Sequence, residues 1–420
     1  MNICLVGVNH RTAPVAIREK AAIRAGKLYD SLELLRSYVT QGVILSTCNR
    51  TEVYTVTDDR SCAQKVSLDF LQTHLDIPDT NLGRHTYILE GEAAVEHLFR
   101  IACGLDSMIV GEYEVLGQVG QALEAAEKAK LVSLPLRHLF QNAIKVGRRV
   151  REETGISRNA LSVSSVAIDL AAKTIGNLRN CKMLVIGAGE AGSLAAKAAK
   201  DRGVSQIVVA SRTRARASKL AGRLGGLPIS INNLDEELDT CNLVVTCADA
   251  PHYLLDTHRV KMVMEQRPKL TTLVIIDIAV PRNVAPAVTQ INNVFLYNID
   301  DLTKIAEQNR REREGEIGEV AEIIAAEMAK FTAWWRALEV RSVVSALMKK
   351  AEDIRSAQLN KTLKKLRPLS DEEQDNLAAM TRSIVTKILR DPIGHLKENT
   401  NGNDNYAEVI SKLFRLGGRQ

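Results

Sequence analysis

The chain has 420 residues, too many for one ordinary hydrophobic core, so two or three domains are expected. An apolar fraction of 45% with 25% charged residues is that of a water-soluble globular protein, and no apolar run is long enough to span a bilayer. A net charge of +6 permits an acidic partner such as RNA without requiring one, and 4% aromatic residues argue against base-stacking platforms. The N-terminal Met1-Asn2-Ile3-Cys4-Leu5-Val6 reads as a strand and lacks the basic segment and cleavage site of a signal peptide. Seven cysteines, odd in number and without a C-x-x-C pair, favour neither a disulfide framework nor a metal site. They fit a reducing, cytoplasmic setting.

Residues 1–156 read as an α+β domain. Ile3 to Val8 is a strand, and Ala16 to Ala25 and Lys27 to Val39 are helical. Gly42 to Leu45 and Val53 to Val56 are short β-prone runs flanking a turn that holds Thr47, Cys48, Asn49 and Arg50. A loop at a strand end is where a rigid scaffold can hold reactive groups. Arg50 would favour a Cys48 thiolate, making it a nucleophile, whereas most free cysteines act as small buried hydrophobes. Both readings stand on these residues alone.

Strand, then Ser46-Thr47-Cys48-Asn49-Arg50-Thr51-Glu52, then strand resembles the signature of glutamyl-tRNA reductase. Further on, Ser61 to His74 reads as a helix and Tyr87-Ile88-Leu89 as a short strand. Gly91 to Ala102 is a helix with Ala94, Val95, Leu98, Phe99 and Ile101 at helical spacing. A lone histidine on such a helix, here His97, is usually structural. The run from Glu96 to Glu112, "EHLFRIACGLDSMIVGE", is similar to the same family, and that resemblance implies that His97 is needed for activity. It also implies a glutamate pocket lined by Thr47, Asn49, Arg50, Ser107, Glu112 and Tyr113, with Glu114 and Gln118 beyond. The family usually has Glu-x-Gln where this chain reads Glu112-Tyr113-Glu114, an added carboxylate that could hold an α-ammonium group or face water. Arg50 suits the substrate's side-chain carboxylate and Glu112 its ammonium.

The helical stretch Leu134 to Glu153 is basic on one side through Arg137, Lys145, Arg148, Arg149 and Arg151. It is either a solvated face or a contact for the backbone of a tRNA acceptor stem. Thr154-Gly155-Ile156-Ser157 breaks it and marks a boundary, and Ser162 to Gly176 leads onward as a helix. Cys181 to Ile186 is a buried parallel-type strand running into Gly187-Ala188-Gly189-Glu190-Ala191-Gly192 and an alanine-rich helix. In that setting G-x-G-x-x-G reads as a dinucleotide site. The next strand, Gln206 to Ala210, ends in Ser211-Arg212-Thr213 where an NAD site would carry an acid, so NADPH is the expected cofactor. Leu243 to Cys247, Leu273 to Ile278 and Val294 to Tyr297 are further strands. The turn Asp277 to Arg282 resembles the segment closing this domain in the family.

From Asp300 to Leu366 charged and apolar residues alternate at helical spacing, which predicts a continuous helix roughly 100 Å long. Gly315 and Gly318 are weak points, and Ile317, Val320, Ile324, Met328 and Phe331 form a stripe in need of partners. Asp371 to Leu389 and Asn405 to Phe414 are further helices, together a dimerisation bundle. The resemblance thus runs over the whole chain. It implies an α/β and α multidomain protein: a catalytic α+β domain (1–156), a Rossmann-type NADPH domain (157–300) and a long spinal helix with a helical dimerisation domain (301–420). The implied activity is NADPH-dependent reduction of glutamyl-tRNA(Glu) to glutamate-1-semialdehyde through a Cys48 thioester, the first step of tetrapyrrole synthesis. The implied partners are a second copy of the chain and glutamate-1-semialdehyde aminomutase for product hand-over, with no membrane. Two other readings are an NADP-linked dehydrogenase of a small aldehyde or keto acid, and a non-catalytic NADP-sensing scaffold.

Overall fold

Ile3–Asn9 (β1) is buried at every position, because strands pair along both its edges and helices pack against it. The computed structural model describes residues 3–56, 60–75, 83–156, 163–268, 271–302, 314–366, 368–398 and 406–416. Gly42–Ser46 (β2), Arg50–Val56 (β3) and Tyr87–Glu90 (β4) complete an antiparallel sheet of order β2-β3-β1-β4. Among the described residues, the helices that accompany it include Val15–Ala21 (α1), Leu28–Arg36 (α2), Arg60–Leu75 (α3), Glu92–Ala102 (α4), Glu114–Lys128 (α5) and Leu134–Glu153 (α6). The helix expected from Ala16 to Ala25 ends at Ala21, where Ala22 turns to extended backbone. The break expected over Thr154–Ser157 is described as far as Ile156, and residues 157–162 lie outside the described residues.

The second sheet is parallel throughout. Lys182–Ile186 (β5), Gln206–Ser211 (β6), Leu227–Ser230 (β7), Leu243–Thr246 (β8), Leu273–Asp277 (β9) and Val294–Asn298 (β10) stand in the order β10-β9-β8-β5-β6-β7. This is the doubly wound Rossmann arrangement, whose strand order reverses between β5 and β8. Successive strand residues face opposite sides. Val185, Val209, Val245 and Ile276 enter one core with Val163–Ile175 (α7), Glu190–Asp201 (α8) and Arg214–Leu224 (α9). Leu184, Val208, Val244 and Ile275 enter the other with Leu234–Leu238 (α10) and Thr257–Gln266 (α11). β7 was not expected, since Pro228 interrupts its pattern; it is an edge strand with mostly exposed residues, where proline is tolerated.

The chain forms two compact units, Met1–Ala325 and Ala326–Gln420. Glu314–Leu363 (α12) is a single helix of 50 residues, about 75 Å at 1.5 Å per residue. It does not begin at Asp300 as expected. Asp300 to Leu302 form a turn, because the Asn298 and Asp301 side chains accept backbone N–H groups of Asp300 and Asn298 in competition with a helix. Residues 303–313 lie outside the described residues. Val320, Ile324, Phe331 and Trp335 of α12 are buried. Asp371–Glu398 (α13) continues past the expected end at Leu389 and carries Pro392 inside it, and Tyr406–Leu413 (α14) follows. Among the described residues no helix is long and apolar enough to cross a membrane, and no cluster of His, Cys, Asp and Glu could hold a metal ion.

Candidate active site

The turn between β2 and β3 is fixed by its own hydroxyl. Thr47 Oγ1 accepts the N–H groups of Asn49 and Arg50 at 3.1 and 3.2 Å, and Thr47 N–H reaches Arg50 O at 2.8 Å. His10, continuing β1, donates its N–H to Asn49 O at 2.9 Å. Cys48 is thereby held half-buried against an apolar cluster of Val15, Met108 and Ile299. Burial pushes the Cys48 thiol up to about 12, and the carboxylates of Glu112 and Glu114 add to the effect against Arg18. The expectation that Arg50 favours the thiolate is therefore corrected. Its guanidinium is buried and engaged elsewhere, with Glu52 Oε1 at 2.9 Å and Asp106 O at 2.6 Å.

Arg50, Glu52 and Tyr54 alternate along β3 and so share one face. Glu52 is fully buried and receives Arg50, Tyr54 Oη at 2.7 Å, Tyr87 Oη and His97 Nε2 at 3.0 Å. Against the burial that would raise it, His97 and Arg50 hold this carboxyl well below the usual carboxylate range. Gly7 on β1 lies between Glu52 and Tyr87 in the register. A Cβ there would come within 2.7 Å of Glu52 Cγ, so only glycine lets the Glu52 side chain cross β1 toward Tyr87. His97 Nδ1 lies 3.6 Å from Asp106 Oδ2, and Asp106 takes two bonds of 3.2 Å from Arg100. His97 thus reaches the Cys48 turn through Glu52 and Arg50.

Ser107 follows Asp106 and faces Glu112 without a hydrogen bond of normal geometry. Asn49 Oδ1 and His10 Nδ1 are also buried with no partner. Such buried polar atoms are groups that a polar substrate can satisfy. Burial pushes His10 down to about 4, with Arg50, Arg11 and Arg18 adding, so its imidazole is neutral at pH 7. Burial raises Glu112, and burial with Glu112 and Glu190 pushes Glu114 up to about 7. Glu112, Tyr113 and Glu114 line a cavity of about 410 Å³ with Ser165, Glu190 and Lys197 from α7 and α8. Gln118 stands one turn beyond Glu114 on α5.

The basic side of α6 is smaller than expected. Arg151 turns inward, donating to Ala102 O and Gly147 O at 2.7 Å and to Glu112 O at 2.9 Å, with its guanidinium over the Tyr113 ring. Arg137 pairs with Glu127 and Arg149 with Glu153, whereas Lys145 and Arg148 are exposed. Arg151 braces the Glu112 loop, a role that helical spacing alone does not reveal.

At the reversal of the parallel sheet, β5 runs through Gly187-Ala188-Gly189 into Glu190 and α8. Gly187 has φ of 120°, and a Cβ on Gly192 would sit 2.1 Å from Gly187 O. The space beside Gly189 is open. A tight turn, an open middle and a close helix–strand approach are what a pyrophosphate at a helix N-terminus requires, so these residues fit a dinucleotide. Ala188 and Ala191 pack on the sheet core beside them. At the end of β6, Ser211 Oγ accepts Thr213 N–H at 3.3 Å, and Arg212 reaches Asp249 O at 2.6 Å.

Glu52, Tyr87, Arg18 and His10 were not singled out from sequence. The two-residue spacing from Arg50 places Glu52 on the same strand face, and a charge at the buried position of α1 marks Arg18. Tyr87 and His10 carry no comparable signal.

Three family models cover the chain. Residues 6–154 match the N-terminal domain of glutamyl-tRNA(Glu) reductase, 169–305 match shikimate/quinate 5-dehydrogenase, and 319–416 match the reductase dimerisation domain. A glutamyl-tRNA reductase of Carboxydothermus hydrogenoformans is 39% identical, over 99% of this chain and 93% of its own. One from Natranaerobius thermophilus is 37% identical, over 99% and 92%. Among solved structures, glutamyl-tRNA reductase from Methanopyrus kandleri aligns with 99% of this chain and 98% of its own, at 32% identity and a TM-score of 0.55. The chain belongs to the glutamyl-tRNA reductase family of oxidoreductases.

Proposed function

We propose that this chain reduces glutamyl-tRNA(Glu) to glutamate-1-semialdehyde with NADPH, through a thioester on Cys48, at the committed step of tetrapyrrole synthesis. The observation that carries the reading is the Cys48 turn, set beside orphaned polar atoms and close enough to Glu112 and Glu114 to feel their charge, carboxylates that also line a cavity with the nucleotide helix α8. Cys48 attacks the ester carbonyl; the C–S bond forms, the C–O bond breaks and the ribose oxygen leaves with a proton. Glu112 and Glu114 receive the α-ammonium, Arg50 is the buried cation on the side-chain carboxylate's side, and Ser107, Asn49 and Thr47 orient the acyl group. Tyr113 and Gln118 border the pocket. His97, steadied by Glu52, handles the leaving-group proton. Gly187, Gly189 and Gly192 would hold the pyrophosphate of a nicotinamide dinucleotide, which when bound would supply the hydride that takes the thioester to the aldehyde and leaves Cys48 as its thiolate.

The reading is tested with labelled glutamyl-tRNA and no cofactor. Label should pass to Cys48, and tRNA should be released without NADPH. Absence of deacylation and of an acid-stable acyl-enzyme would leave direct reduction of the ester instead.

Absence of an acid at the end of β6, together with Ser211, Arg212 and Thr213, supports NADPH over NADH. Arg212→Ala should weaken NADPH roughly 30-fold and NADH less than threefold, measured by fluorescence titration. Equal losses would remove Arg212 as the 2′-phosphate ligand.

The division at 156 and 300 is carried into this reading, with dimerisation through the C-terminal helices. Ile384, Ile388 and Leu413 are exposed there, an apolar surface suited to a second copy of the chain. Lys145 and Arg148 remain the cations of α6 open to an acceptor stem. Product hand-over to an aminomutase would follow from the lability of a free aldehyde.

A further inference from the structure

Arg18 is a charged side chain only 2% exposed, on the face of α1 that also buries Val15 and Ala21. Its three nitrogens reach three places. Nε donates to Ala13 O at 3.2 Å, Nη1 donates to Cys48 O at 2.9 Å, and Nη2 pairs with Asp300 Oδ1. Asp300 lies just beyond β10, the last strand of the nucleotide sheet, and its other oxygen accepts Val15 N–H at 3.2 Å. One guanidinium therefore joins the backbone of the nucleophile to the exit of the nucleotide sheet. Beside it Arg282, from the loop after β9, grips Glu19 of α1 through bonds of 2.8 and 2.6 Å. Ile299, buried next to Asp300, packs into the same cluster as Cys48, Val15 and Met108.

We propose that Arg18 is a positioning residue, which Asp300 orients and which in turn sets the Cys48 carbonyl and turn for reduction once the nucleotide sheet is docked on α1. This deepens the reductase reading and rests on its thioester. A guanidinium this buried is costly without its carboxylate, so Arg18 is steadied by Asp300 and not by solvent. Two fixed N–H groups of one planar fork then hold the Cys48 carbonyl in register with Asp300. Acylation of Cys48 by glutamyl-tRNA needs no cofactor, whereas reduction needs the nucleotide sheet held in place against the Cys48 turn. The two half-reactions should therefore respond differently to the loss of Asp300. Glu19–Arg282 secures the same docking without touching Cys48, which makes it the natural control.

The test uses the full-length Asp300→Asn, Asp300→Glu and Glu19→Gln variants. Charging of Cys48 is followed with labelled glutamyl-tRNA in the absence of cofactor. Reduction is followed with NADPH as the ratio of semialdehyde to free glutamate released. Asp300→Asn should charge within threefold of the parent, and its product ratio should fall roughly 30-fold as water discharges the waiting thioester. Asp300→Glu should recover most of that ratio, because its longer carboxylate can still meet the fork. Glu19→Gln should lower the ratio less than fivefold. NADPH affinity and the urea midpoint report whether Asp300→Asn remains folded and cofactor-competent. Equal loss of charging and reduction, no change in the ratio, or failure of Asp300→Glu to recover would overturn the proposal. Were Asp300→Asn unfolded, Asp300→Glu would decide: a ratio close to the parent's supports the proposal, and a ratio lowered more than that of Glu19→Gln would overturn it. A parent enzyme that never acquires label would overturn the thioester reading and this proposal with it.

Discussion

Cys48→Ser should lower glutamyl-tRNA reduction by roughly four orders of magnitude or more, with folding and cofactor affinity unchanged. Serine has nearly the volume of cysteine, and the turn is held by Thr47 Oγ1 and by backbone groups, including the Cys48 carbonyl that Arg18 grips. An alcohol at neutral pH lacks thiolate nucleophilicity, so only the chemistry is removed. The thiol pushed up to about 12 by burial and by Glu112 and Glu114 adds a second expectation. In the free enzyme Cys48 should alkylate slowly at pH 7, its rate still climbing well above the ordinary thiol value near 8.5. A glutamyl ligand whose ammonium meets Glu112 and Glu114 cancels part of the negative field that opposes ionisation. Alkylation in the presence of a non-reactive glutamyl ester analogue that leaves the thiol open should then titrate at lower pH. Iodoacetamide rates against pH, with and without the analogue, measure both. Residual reduction above a few per cent in Cys48→Ser, or an alkylation profile centred below pH 8.5 in the free enzyme, would contradict this account.

The elements that announced themselves in the sequence are those whose pattern is local. The hairpin around Cys48, the glycine turn after β5 and the apolar face of α4 each follow from spacing within a dozen residues. What stayed hidden depends on contacts far along the chain. Arg18 and Asp300 are separated by 282 residues, and Glu52 meets His97 across 45. Arg50 beside Cys48 looked like the activating cation because sequence distance stood in for space. In the fold its charge answers Glu52, whereas Arg18 is the cation that acts on the thiol. The start of α12 was misread for a related reason. Helical periodicity says nothing of Asn298 and Asp301, whose side chains capture the backbone first. β7 escaped because an edge strand with Pro228 has neither alternation nor continuous burial.

Glu52→Gln should destabilise the first unit by about 3–5 kcal/mol and take most of the activity with it. The amide keeps the side chain's shape but leaves the buried Arg50 charge without its counter-ion. It also replaces one carboxylate oxygen by an NH2 group, and because Arg50, Tyr87 and His97 meet Oε1 while Tyr54 meets Oε2, at least one of these donors loses its acceptor. The pH dependence follows from the direction of the shift. The folded-state carboxyl lies well below its ordinary value of 4.5, so the unfolded chain binds the proton more readily. Its contribution is complete above pH 4.5 and declines as pH falls from there toward the folded value. Parent stability should therefore drop steeply on acidification below pH 4.5, and that limb should flatten in Glu52→Gln. Gly7→Ala should act in the same direction without changing any charge, because its Cβ would push Glu52 Cγ from 2.7 Å and part it from Tyr87. Urea unfolding of the three proteins from pH 3 to pH 7 measures both effects. A Glu52→Gln midpoint within about 0.5 kcal/mol of the parent at pH 7, or an acid limb as steep as the parent's, would show that Glu52 does not anchor this network.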